Sequence, residues 1–159
     1  MTWVVLKAYT NNNAGEVRLR SNDPTEPPDI RFRYFEEGSD IDGEDLESVL
    51  SGLKFVRGAS DGFRELIDEE EIPGRHLYTD DQLREYIRNH AWGHRACGTC
   101  AMKPREQGGV VDNAFRVYGI KGLRVVDASI FPRIPGYFIV TSVYMIAEKA
   151  ADVLLGCSE

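Results

Sequence analysis

Two stretches near the start of the chain alternate strictly between polar and apolar residues: Glu16-Val17-Arg18-Leu19-Arg20 and Asp29-Ile30-Arg31-Phe32-Arg33-Tyr34. Successive side chains of a strand point to opposite faces, so both stretches read as strands. The alternation predicts Val17, Leu19, Ile30, Phe32 and Tyr34 on buried faces, with the arginines in water. Asn11-Asn12-Asn13-Ala14-Gly15 and Asn22-Asp23-Pro24-Thr25-Glu26-Pro27-Pro28 are the connecting turns, because Asn and Pro favour turn dihedrals. The period then changes. Leu46, Val49, Leu50, Leu53 and Val56 recur at three- and four-residue spacing and build one helical stripe, with Asp40 or Asp42 placed to cap its start. The stripe resumes through Phe63, Leu66 and Ile67, with Gly58 or Gly62 as the break, and Pro73-Gly74 closes the region. Thr79-Asp80-Asp81-Gln82 is a capping box, and Leu83, Tyr86 and Ile87 form the stripe of the helix it starts.

The last part of the chain has a different texture. Val110-Val111, Phe115-Arg116-Val117 and Leu123-Arg124-Val125-Val126 read as short strands, the last one buried. Pro132 and Pro135-Gly136 mark a turn, and Ile139 to Leu155 reads as a helix with Val143, Ile146, Ala147, Ala150, Val153 and Leu154 facing inward. The fold class these elements predict is α+β, with strands early and late and helices between them.

Composition narrows the functions. At 159 residues, 42% hydrophobic and 28% charged, the chain is globular and has the length of one ordinary domain. That length cannot hold a dinucleotide-binding unit and a separate substrate domain. The net charge of −7 offers no basic face for nucleic acid. The acidic run Asp68-Glu69-Glu70-Glu71 reads as a solvated helix end. No apolar run is long enough to span a membrane, and the first residues lack the basic region of a signal peptide, so a cytoplasmic location is the default expectation. Three cysteines, an odd number, argue against a disulfide scaffold.

The densest cluster of chemistry-bearing side chains is His90, His94, Cys97 and Cys100. Thiolate and imidazole are good zinc donors, but structural zinc sites usually take their ligand pairs from segments ~12–20 residues apart. This set closes almost no loop, so no metal site is expected, and Cys97 and Cys100 read as small buried hydrophobes. A helix precedes the Cys-x-x-Cys, whereas a thioredoxin-like pair follows a strand. Neither a Gly-x-Ser-x-Gly elbow, nor a Gly-x-Gly-x-x-Gly, nor a P-loop occurs. More telling is Leu123-Arg124-Val125-Val126-Asp127-Ala128-Ser129, where an apolar segment ends in an acid followed by small residues. Such an end lets a ligand approach the backbone; a plain turn capped by Asp127 is the alternative. The start of the last helix, Phe138-Ile139-Val140-Thr141, would present free N–H groups.

Gly98-Thr99-Cys100-Ala101-Met102, then Val110-Val111-Asp112, then Phe115 through Pro132, then Tyr144 through Asp152 resemble, in order, the second signature region of the glucose–methanol–choline (GMC) oxidoreductases. Gly15 through Pro24 resembles a strand and turn of that family's substrate domain. The resemblance implies FAD as cofactor and hydride transfer from a small alcohol-type substrate to the flavin, with a histidine taking the hydroxyl proton. It implies that Asp127 and Ala128 lie against the FAD and that Phe138, Ile139 and Val140 pass near its ring.

It also implies a division of the chain. Residues 1–89 would be part of a substrate domain, with a mixed or antiparallel sheet and flanking helices. Residues 90–159 would complete it and supply the C-terminal strand–helix segment of an FAD-binding domain. The family's Rossmann unit is absent from this sequence, so an N-terminal FAD-binding half is the implied partner, and a non-catalytic relic or interaction module is the alternative. The family pattern places its base three residues before the glycine of Gly-Thr-Cys, where this chain has Arg95, with His94 one residue earlier. Its second catalytic position falls on Phe138. His94 is the candidate base, and its other readings are a spectator beside the flavin or a structural residue.

Overall fold

The computed structural model describes residues 1–93 and 95–156, which form two compact units dividing between Trp92 and Gly93. The first unit holds strands β1 (Glu16–Arg18) and β2 (Asp29–Arg31) and helices α1 (Glu44–Asp61) and α2 (Asp80–His90). The second holds helix α3 (Val140–Leu155) and two short 3-10 turns, Arg105–Gln107 and Ala128–Ile130.

In the first unit, Leu46 and Leu50 of α1 pack on Leu83 and Ile87 of α2, with Phe35, Val49, Leu53, Leu77 and Ala91 around them. This is the predicted stripe at work, since residues three and four apart share a helix face. Asp40 caps α1 by accepting from the backbone N–H of Glu44 (3.1 Å) and Asp45 (2.9 Å). The helix runs through Gly58 and stops at Gly62, and Phe63 and Leu66 beyond it are exposed. Both limbs of the capping box form at α2: Gln82 N–H donates to Thr79 Oγ1 at 3.2 Å, and Thr79 N–H donates to Gln82 Oε1 at 3.1 Å. Asp45 is 1% exposed and takes the backbone N–H groups of Asn11 and Asn12 and the ammonium of Lys7 (3.2 Å). That arrangement ties the N-terminal segment to α1. The Asn12 side chain donates to the carbonyls of Arg33 (2.7 Å) and Glu36 (3.1 Å), pinning the chain after β2. A Cβ at Gly38 would collide with Asn12 Oδ1, and its φ of 98° is a backbone conformation that favours glycine.

Several expectations change. β1 and β2 pair antiparallel with Val17 opposite Ile30, but each is only three residues long. Their apolar face is not buried: Val17, Leu19, Ile30 and Phe32 are all exposed, Leu19 at 87%. Period 2 decides which residues share a face, and among the described residues nothing covers that face. Arg33 is half-buried rather than in water, and pairs with Glu16 at 3.0 Å. The acidic run is a loop rather than a helix end, and Glu70 within it is half-buried against Arg57.

The second unit is built on Val111, Phe115, Ile130 and Ala150, with Met102, Val110, Val117, Val125, Ile146 and Val153 packed around them. The predicted strands are isolated bridges instead: Met102 with Val111, Val111 with Val117, Arg116 with Arg124. Leu123 and Val126 are exposed, against the expectation of a buried strand. On α3, Ile146, Ala150 and Val153 face the core, whereas Ala147 and Leu154 point outward with Tyr144, Met145 and Leu155. The stripe is narrower than the pattern implied because a helix this apolar carries hydrophobic residues on more than one face.

Candidate functional site

Within the second unit, the separate motifs of the sequence converge through backbone hydrogen bonds. Cys100 N–H donates to the Ser129 carbonyl at 2.9 Å, and Met102 N–H to the Ile130 carbonyl at 2.8 Å. Val110 N–H donates to Ala101 O at 2.9 Å, and Val125 N–H to Phe115 O at 3.0 Å. The Cys97–Met102 segment, the Val110–Val125 segment and the Asp127–Ile130 turn therefore lie side by side. Asp112 builds the middle of this arrangement. Its Oδ1 accepts from the N–H groups of Ala114 (2.8 Å) and Arg116 (2.9 Å) and holds Phe115, at φ 66°, pointing into the core. In the sequence Asp112 stands within a motif without an assigned role, and an acid two residues before a turn amide is the signal it offers.

Asp127 caps the 3-10 turn Ala128–Ile130. Its Oδ1 accepts from Ser129 N–H at 2.7 Å, and the residue remains exposed. The structure thus shows Asp127 as a local cap whose carboxylate lies at the surface. Ala128 adds no bulk at the turn.

The approach to α3 runs through Pro135 and Gly136, whose φ of 99° is open to glycine at little cost. Ile139 is 3% exposed and anchors the helix start, while Phe138 (68%) and Val140 are exposed on either side of it. Among the described residues no side chain caps this N-terminus. The first amides of α3 therefore keep their donors free, beside two exposed apolar side chains. An uncapped helix start of this kind favours electron-rich groups.

The structure also brings together two positions far apart in sequence. The guanidinium of Arg95 stands over the Phe138 ring, 5.8 Å from its centroid. That is within cation–π range, a contribution of about 0.5–1 kcal/mol at an exposed site. His94 lies outside the described residues. Cys97 and Cys100 are free thiols and half-buried rather than buried, and burial pushes the Cys97 thiol above its ordinary range. Among the described residues, no three His, Cys, Asp or Glu side chains converge as a metal site would require. No described helix is long and apolar enough to cross a membrane. The ring of His90, at the end of α2, stacks on Tyr86 with centroids 4.1 Å apart.

A family model described as GMC oxidoreductase matches residues 11–147. The chain is similar to the GMC oxidoreductase family protein Mala s 12 of Malassezia sympodialis, 38% identical over 145 residues, covering 89% of this chain and 23% of that protein. It is similar to the oxygen-dependent choline dehydrogenase of Escherichia coli, 38% identical over 148 residues, covering 89% of this chain and 25% of that protein. Among solved structures it resembles the formate oxidase of Aspergillus oryzae, in which FAD modification was examined: TM-score 0.74, 32% identity, covering 87% of this chain and 24% of that one. The chain spans about a quarter of the length of the curated relatives it matches.

Proposed function

The chain belongs to the GMC oxidoreductase family, and from that premise we propose that it forms the C-terminal part of an FAD-dependent enzyme oxidising a small alcohol-type substrate. In this reading residues 1–89 contribute to a substrate domain. Residues 90–159 complete it and supply the last strand–helix segment of the FAD-binding domain. The observation that carries the reading is the convergence of three family motifs around the Asp127 turn, in the same compact unit as the uncapped start of α3.

The residues present fit a flavin. Ala128 leaves room at the turn, and the Asp127 carboxylate is available to a hydroxyl donor. Phe138 and Val140 offer an apolar surface for a ring, and the free amides of α3 suit its electron-rich edge. Bound FAD would supply the two-electron acceptor for hydride. This chain's residues bind, orient and move the proton. His94 takes the role of base, since an imidazole titrates near working pH and the guanidinium of Arg95 does not release its proton. Ile139 fixes the helix start from inside the core.

The test combines the chain with a family FAD-binding half, in trans or as one polypeptide, and follows flavin absorbance and alcohol oxidation. A yellow complex that turns over an alcohol is the expected result, and failure to form one overturns the reading. A second reading, a non-catalytic module of the same fold, is favoured by one observation: neither Arg95 nor Phe138, at the family's two catalytic positions, can exchange a proton at neutral pH. A complex that holds FAD but stays inactive with every alcohol tested selects it.

A further inference from the structure

Arg95 carries a charge that nothing among the described residues neutralises. Arg57, Arg84 and Arg33 each meet a carboxylate within 3.0 Å. Among the described residues Arg95 meets none, and its guanidinium donates to no oxygen acceptor there; its interaction is with the face of Phe138. Both residues are exposed. A guanidinium has five N–H donors in a planar fork that matches a carboxylate with two parallel hydrogen bonds. An aromatic ring beside that fork adds an apolar surface for the body of the molecule that bears the anion. Fork and ring stand next to the uncapped helix start assigned above to the flavin, at the positions where the family pattern has its proton-exchanging groups.

We propose that the substrate is an alcohol that also bears a carboxylate. Arg95 binds the carboxylate and sets specificity, and the Phe138 ring is the platform against which the substrate lies. This rests on the flavoenzyme reading above. It explains why the two positions carry a fixed cation and a ring: they select a charged substrate by pairing with it, which a neutral competitor cannot reproduce.

Benzoate and its neutral isostere benzamide are the probes, titrated into the FAD-loaded protein and read by the flavin absorbance change. The wild type should bind benzoate about tenfold more tightly than benzamide, or better, with the preference falling as salt is raised. R95Q should abolish the preference and its salt dependence while leaving benzamide binding unchanged, and R95K should keep part of it. Because Arg95 is exposed, these variants retain the fold, which the unchanged melting temperature verifies. Equal binding of the two probes by the wild type, or a preference that survives R95Q, overturns the assignment and leaves the flavoenzyme reading standing. If R95Q instead releases FAD, the guanidinium belongs to the cofactor, and the assignment is equally overturned. A protein that takes up no FAD fails at the earlier step, and both readings fall together.

Discussion

The guanidinium of Arg57 on α1 and the carboxylate of Glu70 form a forked pair, with Nη2 2.6 Å from Oε1 and Nε 3.1 Å from both oxygens. The same guanidinium donates to the carbonyls of Leu77 (2.8 Å) and Gly74 (3.1 Å). One side chain thus gathers the whole loop between α1 and α2. Both partners are half-buried, so solvent screens the pair only in part. Arg57→Ala strands a carboxylate and two carbonyls and should cost about 2–3 kcal/mol. Glu70→Gln keeps an acceptor and loses the charge, at about 1 kcal/mol. Urea denaturation followed by circular dichroism checks the order, and equal effects from the two substitutions would contradict this account.

Asp45 performs the comparable service for the N-terminal segment. Its oxygens accept from Asn11 N–H at 2.9 and 3.0 Å and from Asn12 N–H at 3.0 Å, and Lys7 sits 3.2 Å away. Asp45→Asn would turn an amide donor toward groups that are all donors. The expected loss is about 2–4 kcal/mol. Limited proteolysis should then cut within residues 1–12 well before the α1–α2 core opens, and uniform protection would refute the role.

What the sequence showed of this fold was whatever is local. The capping box at Thr79 and Gln82 needs four neighbouring residues, and both of its hydrogen bonds form. The stripe through Leu46 and Leu50 needs two helical turns, and it is the core. Burial of Leu19, Phe32, Leu123 and Leu154 was not legible, because periodicity says which residues share a face and not whether the chain covers it. The bridges around Val111 look like strands in the sequence for a related reason: their partners come from three separate segments, a non-local arrangement no window displays. At the candidate site, the Asp127 turn and the start of α3 could be named from the motifs. The meeting of Arg95 with Phe138 could not, since it depends on how two distant loops close.

Acid should loosen the packing of α1 on α2. Hydrogen bonding from Arg84 holds the Glu47 carboxyl below its ordinary range, and hydrogen bonding from Lys54 does the same for Asp80. Both pairs join α1 to α2. A carboxyl with a depressed folded-state pKa stabilises fully above the unfolded value of about 4 and loses that contribution as pH falls through the lower, folded value. The melting temperature of the wild type should therefore drop as pH is lowered through and below the ordinary carboxylate range. The double variant E47Q/D80N should start lower at neutral pH and show a shallower drop. The pairs are partly exposed, so raised salt should shrink the difference between the two proteins. Parallel pH curves would remove these carboxyls from the account.

Gly109 offers the sharpest steric test, because it closes the loop that carries the second unit's motifs. Gly108 before it has a φ of 79°, and Gly109 N–H donates to the Pro104 carbonyl at 3.1 Å, ending the turn Arg105–Gln107. A Cβ on Gly109 would fall deep inside the van der Waals envelope of the Lys103 carbonyl oxygen and 2.9 Å from that of Pro104. Backbone atoms cannot rotate away as a flexible side chain can, so the turn itself must shift. Gly109→Ala should destabilise the second unit by about 2 kcal/mol or more. Gly108→Ala meets no atom, and pays only for its left-handed backbone, about 1 kcal/mol. The shift at 109 would also disturb the Val110 N–H bond to Ala101, through which the turn is tied to the Cys97–Met102 segment. Amide exchange should therefore quicken at Val110 and Met102 in Gly109→Ala and stay near wild type in Gly108→Ala. The reverse order would mean that backbone dihedral cost, rather than the close approach of two chain segments, decides the choice of glycine here.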